Sequence, residues 1–88
     1  MIKQPLTIQN QLGLHTRAAA KLVDIAKRYE SKIEMRLNDR TVDCKSIMGL
    51  ITLGAHKNNI VELIIDGADE HIAYESISKL IDDKFGED

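Results

Sequence analysis

The sequence predicts a single α+β domain, in which a four-stranded antiparallel sheet has three helices packed on one face. Three observations predict this fold class. Apolar residues alternate with polar ones along four short segments, as in half-buried strands. Along two longer segments they recur at helical spacing and form one apolar stripe each. A shorter helix lies between the third and fourth strands, so the predicted order is β-α-β-β-α-β-α.

The first strand is predicted over residues 2–8, where isoleucine and leucine fall on one side of a period-two pattern. Pro5 has no N–H to donate to a ladder, so we expect an edge strand or an outward-facing amide there. Residues 9–13 break the pattern, and Gly13 allows a turn that a side chain would hinder.

The first helix is predicted over Thr16–Arg28, because its apolar residues follow the i, i+3, i+4, i+7 spacing of an amphipathic helix. Charged residues fall on the other side and face water. The apolar stripe is Ala19, Leu22, Val23 and Ala26, and the water-facing residues are Lys21, Asp24, Lys27 and Arg28.

A hairpin is predicted next. Residues 33–37 alternate as a second strand, and Asn38 and Asp39 tolerate positive φ and can close a tight turn. The third strand then covers Thr41–Cys44, and its inward-facing residues are Val42 and Cys44.

The segment Ser46–Leu53 is predicted to be a short helix that begins at a good N-cap residue, Ser46. It is too apolar for a surface helix, because Leu50 and Leu53 can cover the core while other apolar residues lie around the cylinder from them. Such a patch indicates a partner surface, unless neighbouring loops cover it. Its residues are Ile47, Met48 and Ile51.

The fourth strand is predicted over Ile60–Asp66, with Val61, Leu63 and Ile65 inward, and Asp66-Gly67 turns the chain. The last helix is predicted from Glu70 to about Lys84, with acidic residues near its positive end. Its apolar face is Ile72, Ala73, Ile77, Leu80 and Ile81.

Composition excludes several function classes. The chain of 88 residues, 43% of them hydrophobic, can form one core without disulfides or metal. Nucleic-acid binders usually carry an excess of basic residues, whereas this chain has a net charge of −2. Only 3% of its residues are aromatic, too few to form the stacking platforms of single-strand binders. We therefore expect no nucleic-acid partner. Cys44 is the single cysteine, and no charged-then-apolar leader is present, so we expect a cytoplasmic protein. The longest apolar run is far shorter than a membrane span, and we expect no membrane partner.

The most specific feature is the segment Gly13-Leu14-His15-Thr16-Arg17, where a loop enters the first helix. A helix N-terminus has unpaired N–H groups and a partial positive charge, so it can receive an anion such as phosphate. One ring nitrogen of His15 can take a phosphoryl group if the other holds a proton. Arg17 could donate a forked pair of N–H groups to the phosphoryl oxygens.

These residues also have an ordinary structural interpretation. A histidine at a helix start often caps the helix or faces solvent, and an arginine that follows it is often only surface charge. His56 and His71 have no comparable context, and we expect both at the surface. The three histidines lack a metal-ligand spacing, so we expect no metal site.

Two motifs, GLHTRAAAKL at residues 13–22 and KSIMGL at residues 45–50, resemble those of the histidine-containing phosphocarrier (HPr) family of the bacterial phosphoenolpyruvate-dependent phosphotransferase system. The resemblance spans nearly the whole chain and includes its length and element order. It implies one HPr-like domain over residues 1–88, with the fold of an open-faced β-sandwich.

The resemblance implies that His15 accepts a phosphoryl group on Nδ1 from phosphorylated enzyme I and passes it to enzyme IIA proteins, while Arg17 stabilises the transferred group. The amides of Thr16, Arg17 and Ala18 would surround its oxygens. The protein would be a stoichiometric carrier and not an enzyme, and we expect a monomer without a cofactor. The implied docking surface for both partners is Thr16, Arg17, Ala20, Ile47, Met48 and Ile51.

Ala18 departs from the family, which commonly has proline at this position. Alanine has the backbone N–H that proline lacks, and this N–H could donate to phosphate or water, so we expect the site to remain functional. Together with KSIMG and the ending Phe85-Gly86-Glu87-Asp88, this departure is more similar to the phosphocarriers of the nitrogen-related regulatory branch than to those dedicated to sugar uptake.

Ser46 has two interpretations. Its role as an N-cap explains a serine there fully. In part of the family this residue is phosphorylated by a dedicated ATP-dependent kinase, and the added charge would weaken the docking of acidic partners. The resemblance therefore suggests one further partner, a kinase/phosphorylase that acts on Ser46.

Two functions compete. A phosphoryl relay needs both His15 and the docking surface, whereas a regulatory interaction module acting by phosphorylation-dependent contact uses the same surface. A module that works only by contact would tolerate the loss of His15 but not a charge at Met48.

Overall fold

The structure, a computed structural model, describes residues 1–87. Within this range the order β-α-β-β-α-β-α is confirmed, and a short 3₁₀ turn follows the last helix. The elements are β1 (Ile2–Thr7), α1 (Thr16–Ala26), β2 (Lys32–Leu37), β3 (Arg40–Asp43), α2 (Ile47–Leu53), β4 (Ile60–Asp66), α3 (Glu70–Asp82) and the 3₁₀ turn (Lys84–Gly86).

The sheet is antiparallel throughout, with the strand order β1-β4-β2-β3. The first strand is therefore at an edge, which is one of the two arrangements that Pro5 predicts, and Pro5 lies opposite Glu62 on the neighbouring strand β4. Along β4 the inward residues alternate as predicted: Val61, Leu63 and Ile65 are buried. The helices cover this inward face, and the resulting α+β architecture is the one predicted.

The β2–β3 hairpin has the predicted two-residue turn, because Leu37 pairs with Arg40. Asn38 has φ of 56°, which is the positive value that the turn requires. Beyond the end of β3 the N–H of Cys44 donates to the carbonyl of Ile33 at 2.9 Å, so the inward position of Cys44 is fixed by the backbone. Cys44 is fully buried.

The predicted stripe of α1 is confirmed, since all four of its residues are buried. Ala18 is also fully buried, which the spacing analysis did not include. The helix ends at Ala26, earlier than the predicted Arg28, because Lys27 caps it and the chain turns towards β2.

The apolar surface of α2 is divided as predicted. Leu50 and Leu53 are buried, whereas Met48 is 68% exposed and Ile47 is 39% exposed. Ile51 is half-buried against the core. Loops therefore leave part of this surface open, which we call the apolar patch (Ile47, Met48 and Ile51).

The prediction for the C-terminal region is wrong in two respects. Ile72 is 57% exposed, because the buried line of α3 runs through Ala73, Ile77 and Ile81, and adjacent helical residues point about 100° apart. The helix also ends at Asp82, before the predicted Lys84.

The 3₁₀ turn explains the early end of α3. Lys84 and Phe85 both have left-handed φ, 57° and 56°, and the Phe85 side chain is fully buried. A left-handed residue costs roughly 1–2 kcal/mol, and burial of a phenylalanine side chain returns about 1.5–3 kcal/mol. Burial of the Phe85 side chain and the contacts of the turn together offset the strain of the two left-handed residues. The helix therefore ends at Asp82, and the turn places Phe85 in the core.

Candidate functional site

His15 lies at the start of α1, as the sequence predicts. It is the N-cap residue, with extended backbone angles (φ −77°, ψ 177°), and its carbonyl accepts the N–H of Ala19 at 2.8 Å. The amides of Thr16, Arg17 and Ala18 form the first turn, where an α-helix has no internal acceptors for them. Since the His15 side chain makes no capping hydrogen bond within the described residues, it does not occupy these donors.

The loop before His15 is held against the segment that follows α2. The N–H of Leu14 donates to the carbonyl of Ala55 at 2.9 Å. Gly13 has φ of 64°, and a Cβ at this position would lie 2.5 Å from the Ala55 carbonyl oxygen. Only glycine fits both the backbone angle and this close approach. Gly13 therefore fixes where His15 enters the helix.

The imidazole of His15 is oriented by a residue at the far end of the chain. Its Nε2 atom lies 2.5 Å from Oε2 of Glu87. Because a carboxylate only accepts hydrogen bonds, Nε2 is the protonated nitrogen when the ring is neutral. Nδ1 then carries the lone pair, and it makes no hydrogen bond to the described residues. The side chain is 24% exposed, so the ring is accessible from solvent.

Glu87 is itself held in place. Its Oε1 atom accepts a hydrogen bond from Nδ2 of Asn10 at 3.0 Å, and the same amide nitrogen donates to the carbonyl of Gly13 at 2.7 Å. The bond from Asn10, followed by the bond to His15 and the charge of Lys21, lowers the pKa of Glu87 against the opposing effect of desolvation. The carboxylate is therefore ionised at neutral pH.

The chain just before Glu87 is anchored at two points. Phe85 inserts its side chain into the core, and its carbonyl accepts a hydrogen bond from Nζ of Lys21 at 2.6 Å. Beside this anchor is a cleft of about 420 Å³ that contains two cationic side chains. Its lining residues are Gln11, Leu12, Arg17, Lys21, Gly86 and Glu87.

The predicted docking residues lie on two helices that contact each other, α1 and α2. Thr16, Arg17 and Ala20 are exposed on the first. The apolar patch lies on the second. The fold thus places these residues on two helices that contact each other, the first of which begins directly after His15.

Ser46 is the N-cap of α2, as predicted. Its Oγ atom accepts the N–H of Gly49 at 3.0 Å, and the residue is half-buried beside the apolar patch. The structural role of Ser46 is therefore satisfied without any modification.

Asn10, Lys21 and Glu87 are members of the site that no sequence motif indicated. Lys21 was predicted only to face water, and it does so while its ammonium group reaches the C-terminal turn. Glu87 carried no local signal, because 72 residues separate it from His15. The one clue was Phe85, the only phenylalanine, placed near the C-terminus where it could anchor the segment.

Other groups show no second site of this kind. His56 and His71 are exposed, as predicted. Burial raises the pKa of the Cys44 thiol, so it is protonated at neutral pH. Residues 1–87 contain no cluster of potential metal ligands. None of the helices in the same range is long and apolar enough to cross a bilayer.

Comparison with known proteins shows which proteins this chain is similar to. The family described as "PTS HPr component phosphorylation site" matches residues 2–83. The chain is 41% identical to phosphocarrier protein HPr of Xylella fastidiosa (strain Temecula1), across 100% of this chain and 99% of the relative. It is 45% identical to the protein of the same name from Neisseria meningitidis serogroup A, across 99% and 98% of the two chains.

A solved structure is similar over the whole fold. The crystal structure of HPr-C-His from Thermoanaerobacter tengcongensis superposes with a TM-score of 0.96 at 39% identity, and the match covers 100% of this chain and 99% of that one. The open-faced sandwich expected from the sequence motifs is therefore confirmed by a relative of known structure.

Proposed function

The chain belongs to the HPr family of phosphocarrier proteins of the phosphotransferase system, and on this premise we propose that His15 is its phosphoryl acceptor. His15 Nδ1 takes a phosphoryl group from phosphorylated enzyme I and passes it to enzyme IIA proteins. The protein is then a cytoplasmic relay that is consumed and regenerated in each cycle. The observation that carries this proposal is the contact of His15 Nε2 with Glu87, which leaves Nδ1 as the nucleophilic nitrogen.

The first turn of α1 supports the anion. When Nδ1 bears a phosphoryl group, its oxygens meet the partial positive charge and the unpaired amides of Thr16, Arg17 and Ala18. Alanine at position 18 retains the N–H that proline would remove, so all three amides are donors. Phosphoryl transfer depends mainly on positioning and charge stabilisation, which these groups supply.

Arg17 supplies the charged donor. Its guanidinium lies on the exposed first turn, at the rim of the cleft that Lys21 and Glu87 share. A planar guanidinium can donate two parallel N–H groups to phosphoryl oxygens as the group is transferred. Arg17 thus stabilises the transferred group in both directions of the relay.

The exposed residues of α1 and the apolar patch form the docking surface. Ile47 and Met48, which are 39% and 68% exposed, are consecutive on α2, and the half-buried Ile51 lies one turn further on, so exposed apolar surface is concentrated on this helix. The flexible side chain of Met48 can adapt to both a donor and an acceptor. One surface next to His15 brings each partner within reach of Nδ1.

Ser46 is a second modification site in this proposal. A phosphate on its Oγ would place a dianion at the start of α2, adjacent to Ile47 and Met48. The positive helix end tolerates this charge, while acidic partners are repelled from the apolar patch. A kinase and phosphorylase specific for Ser46 would thereby control docking without touching His15. The features of Ala18 and the C-terminal segment favour the nitrogen-related branch for the downstream acceptor.

Intact-mass spectrometry tests the relay. The protein is mixed with phosphoenolpyruvate and enzyme I, and its mass is measured before and after mild acid treatment. The expected result is one acid-labile phosphoryl group that is absent in His15→Ala. His56→Ala is the matched control, because it removes an exposed histidine outside the site. Retained phosphorylation of His15→Ala contradicts the proposal and favours a module that acts by contact alone.

A further inference from the structure

We propose that Glu87 is a positioning residue for His15, which fixes the proton on Nε2 and stabilises the positive charge that the ring gains when Nδ1 is phosphorylated. This inference rests on the proposed function of His15. It concerns a residue outside the segment 2–83 that matches the family. No motif in the sequence around Glu87 indicates this role.

The geometry matches what a positioning residue requires. Glu87 uses both carboxylate oxygens, Oε2 for His15 Nε2 and Oε1 for the amide of Asn10. A carboxylate fixed at both oxygens cannot rotate away when the ring changes charge. Its side chain is only 15% exposed, so water weakens the contact less than it would weaken a surface ion pair.

Asn10, which holds Glu87 in this contact, has an energetically unfavourable environment. Asn10 is fully buried, and within residues 1–87 its Oδ1 atom has no hydrogen-bond partner. A buried polar atom without a hydrogen-bond partner destabilises the folded state. Asn10 must nevertheless present its NH₂ group, because both of its contacts, Gly13 and Glu87, are acceptors. The left-handed turn that inserts Phe85 brings the chain back over Lys21 towards His15.

The chemical step accounts for every atom. The lone pair of Nδ1 attacks the phosphorus of a phosphohistidine donor, the Nδ1–P bond forms, and the donor N–P bond breaks. The donor nitrogen keeps the electron pair of that bond. The proton stays on Nε2, so the His15 ring becomes a phosphoimidazolium whose positive charge faces the carboxylate of Glu87. A fixed negative charge at this distance stabilises the charge as it develops, with no reorganisation during the reaction.

The test compares Glu87→Gln with Glu75→Gln, which removes the same charge from an exposed position on α3. Two quantities are measured on the full chain. The first is the rate of phosphoryl transfer from phosphorylated enzyme I. The second is the NMR signal of the His15 Nε2 proton, which we expect far downfield and in slow exchange with water in the unmodified sequence. This signal reports the hydrogen bond itself and not the stability of the fold.

We expect Glu87→Gln to move the signal upfield, because a neutral amide oxygen accepts a weaker hydrogen bond than a carboxylate does, and to slow transfer by roughly tenfold or more. Glu75→Gln should leave both unchanged. Glu87→Ala, which removes the acceptor together with the charge, should lose the downfield signal and slow transfer at least as much. If Glu87→Gln transfers phosphate at the same rate as the unmodified protein, the positioning role of Glu87 is refuted. The proposed role of His15 as phosphoryl acceptor is unaffected by that result. If the unmodified protein accepts no phosphoryl group, the proposed function and this inference both fail.

Discussion

The Nε2 atom of His15 and the Oε2 atom of Glu87 are 2.5 Å apart, although 72 residues separate them in the chain. This contact joins the first helix to the C-terminus and assigns different roles to the two ring nitrogens. In the proposed relay, this contact links the reactivity of His15 to the turn that carries Phe85. The site is therefore a product of the whole fold, and the motif around residue 15 is only one part of it.

Replacing Gly13 by alanine should displace the loop before His15. The new Cβ would lie 2.5 Å from the Ala55 oxygen in a residue whose φ is 64°, so strain and collision act together. We expect unfolding free energy to fall by more than about 2 kcal/mol, measured by urea denaturation. Gly54→Ala is the matched control, because its φ is 68° but its nearest neighbour would be 3.8 Å away. Equal losses in the two variants would show that the close approach at Gly13 has no cost.

Removing the Phe85 side chain should destabilise the protein and release the C-terminal segment. Phe85 is fully buried, and phenylalanine-to-alanine changes in a core cost about 3–5 kcal/mol. We expect a loss of this size in urea denaturation, and loss of the downfield Nε2 proton of His15. Ile72→Ala, at a residue that is 57% exposed, should change stability little. A stable Phe85→Ala protein with an intact Nε2 signal would contradict the anchor.

Acid should destabilise the fold through three carboxylates. Hydrogen bonds from Ser31 and Glu30 lower the pKa of Asp69, bonds from Gly67 and the N-terminus lower that of Glu70, and Asn10 with His15 lowers that of Glu87. The unfolded chain binds these protons at higher pH than the folded chain does. Their contribution is therefore complete above the ordinary carboxyl range and is lost as the pH falls through the depressed values.

Unfolding free energy measured between pH 7 and pH 3 checks this expectation. Asp69→Asn should make the profile flatter, because it removes one of the three groups. Asp82→Asn, at an exposed position, is the control and should keep the slope of the unmodified protein. A profile that does not fall with pH, or that Asp69→Asn leaves unchanged, would contradict the assignment.

Arg17→Ala should slow phosphoryl transfer without abolishing docking. Loss of one donor to a developing oxyanion costs about a hundredfold or more in rate where the site excludes water, and this exposed residue should lie near the lower end. The measurement is rapid-quench kinetics with phosphorylated enzyme I, together with the affinity for enzyme I. Arg28→Ala removes an exposed arginine just beyond the C-terminal end of α1 and should affect neither quantity. An unchanged transfer rate in Arg17→Ala would exclude the proposed role.

Met48→Asp should weaken docking of both donor and acceptor. A charge in the centre of the apolar patch must lose its water when a partner binds, and we expect transfer at low concentration to fall roughly tenfold or more. Circular dichroism should show an intact fold, since Met48 is 68% exposed. Ile72→Asp places the same charge on an exposed apolar residue of α3 and should transfer normally. Normal exchange by Met48→Asp would count against a shared docking surface.

The elements that short-range rules govern were predictable from the sequence. Asn38 gives the positive φ of a tight turn, Ser46 accepts the N–H of Gly49, and Pro5 lies in an edge strand, one of the two arrangements expected for it. Each depends on one residue and its immediate neighbours, so pattern and propensity suffice. The placement of His15 at the start of a helix was predictable for the same reason.

The remainder depends on contacts between distant parts of the chain. The exposure of Ile72 is decided by which line of α3 meets the sheet, and a broad apolar stripe does not specify that line. The end of α3 is set by the burial of Phe85, which overrides helical continuity through Lys84. Glu87 reaches His15 only because that turn reverses the chain, so no local pattern includes both residues.

The most direct test of the central claim is the position of phosphorus on the His15 ring. The protein is labelled with ¹⁵N at both imidazole nitrogens, phosphorylated with enzyme I and phosphoenolpyruvate, and observed by ³¹P and ¹⁵N NMR. The contact between Nε2 and Glu87 predicts a one-bond phosphorus coupling to Nδ1 and a retained proton on Nε2. Phosphorus bonded to Nε2, or to any residue other than His15, would contradict the account.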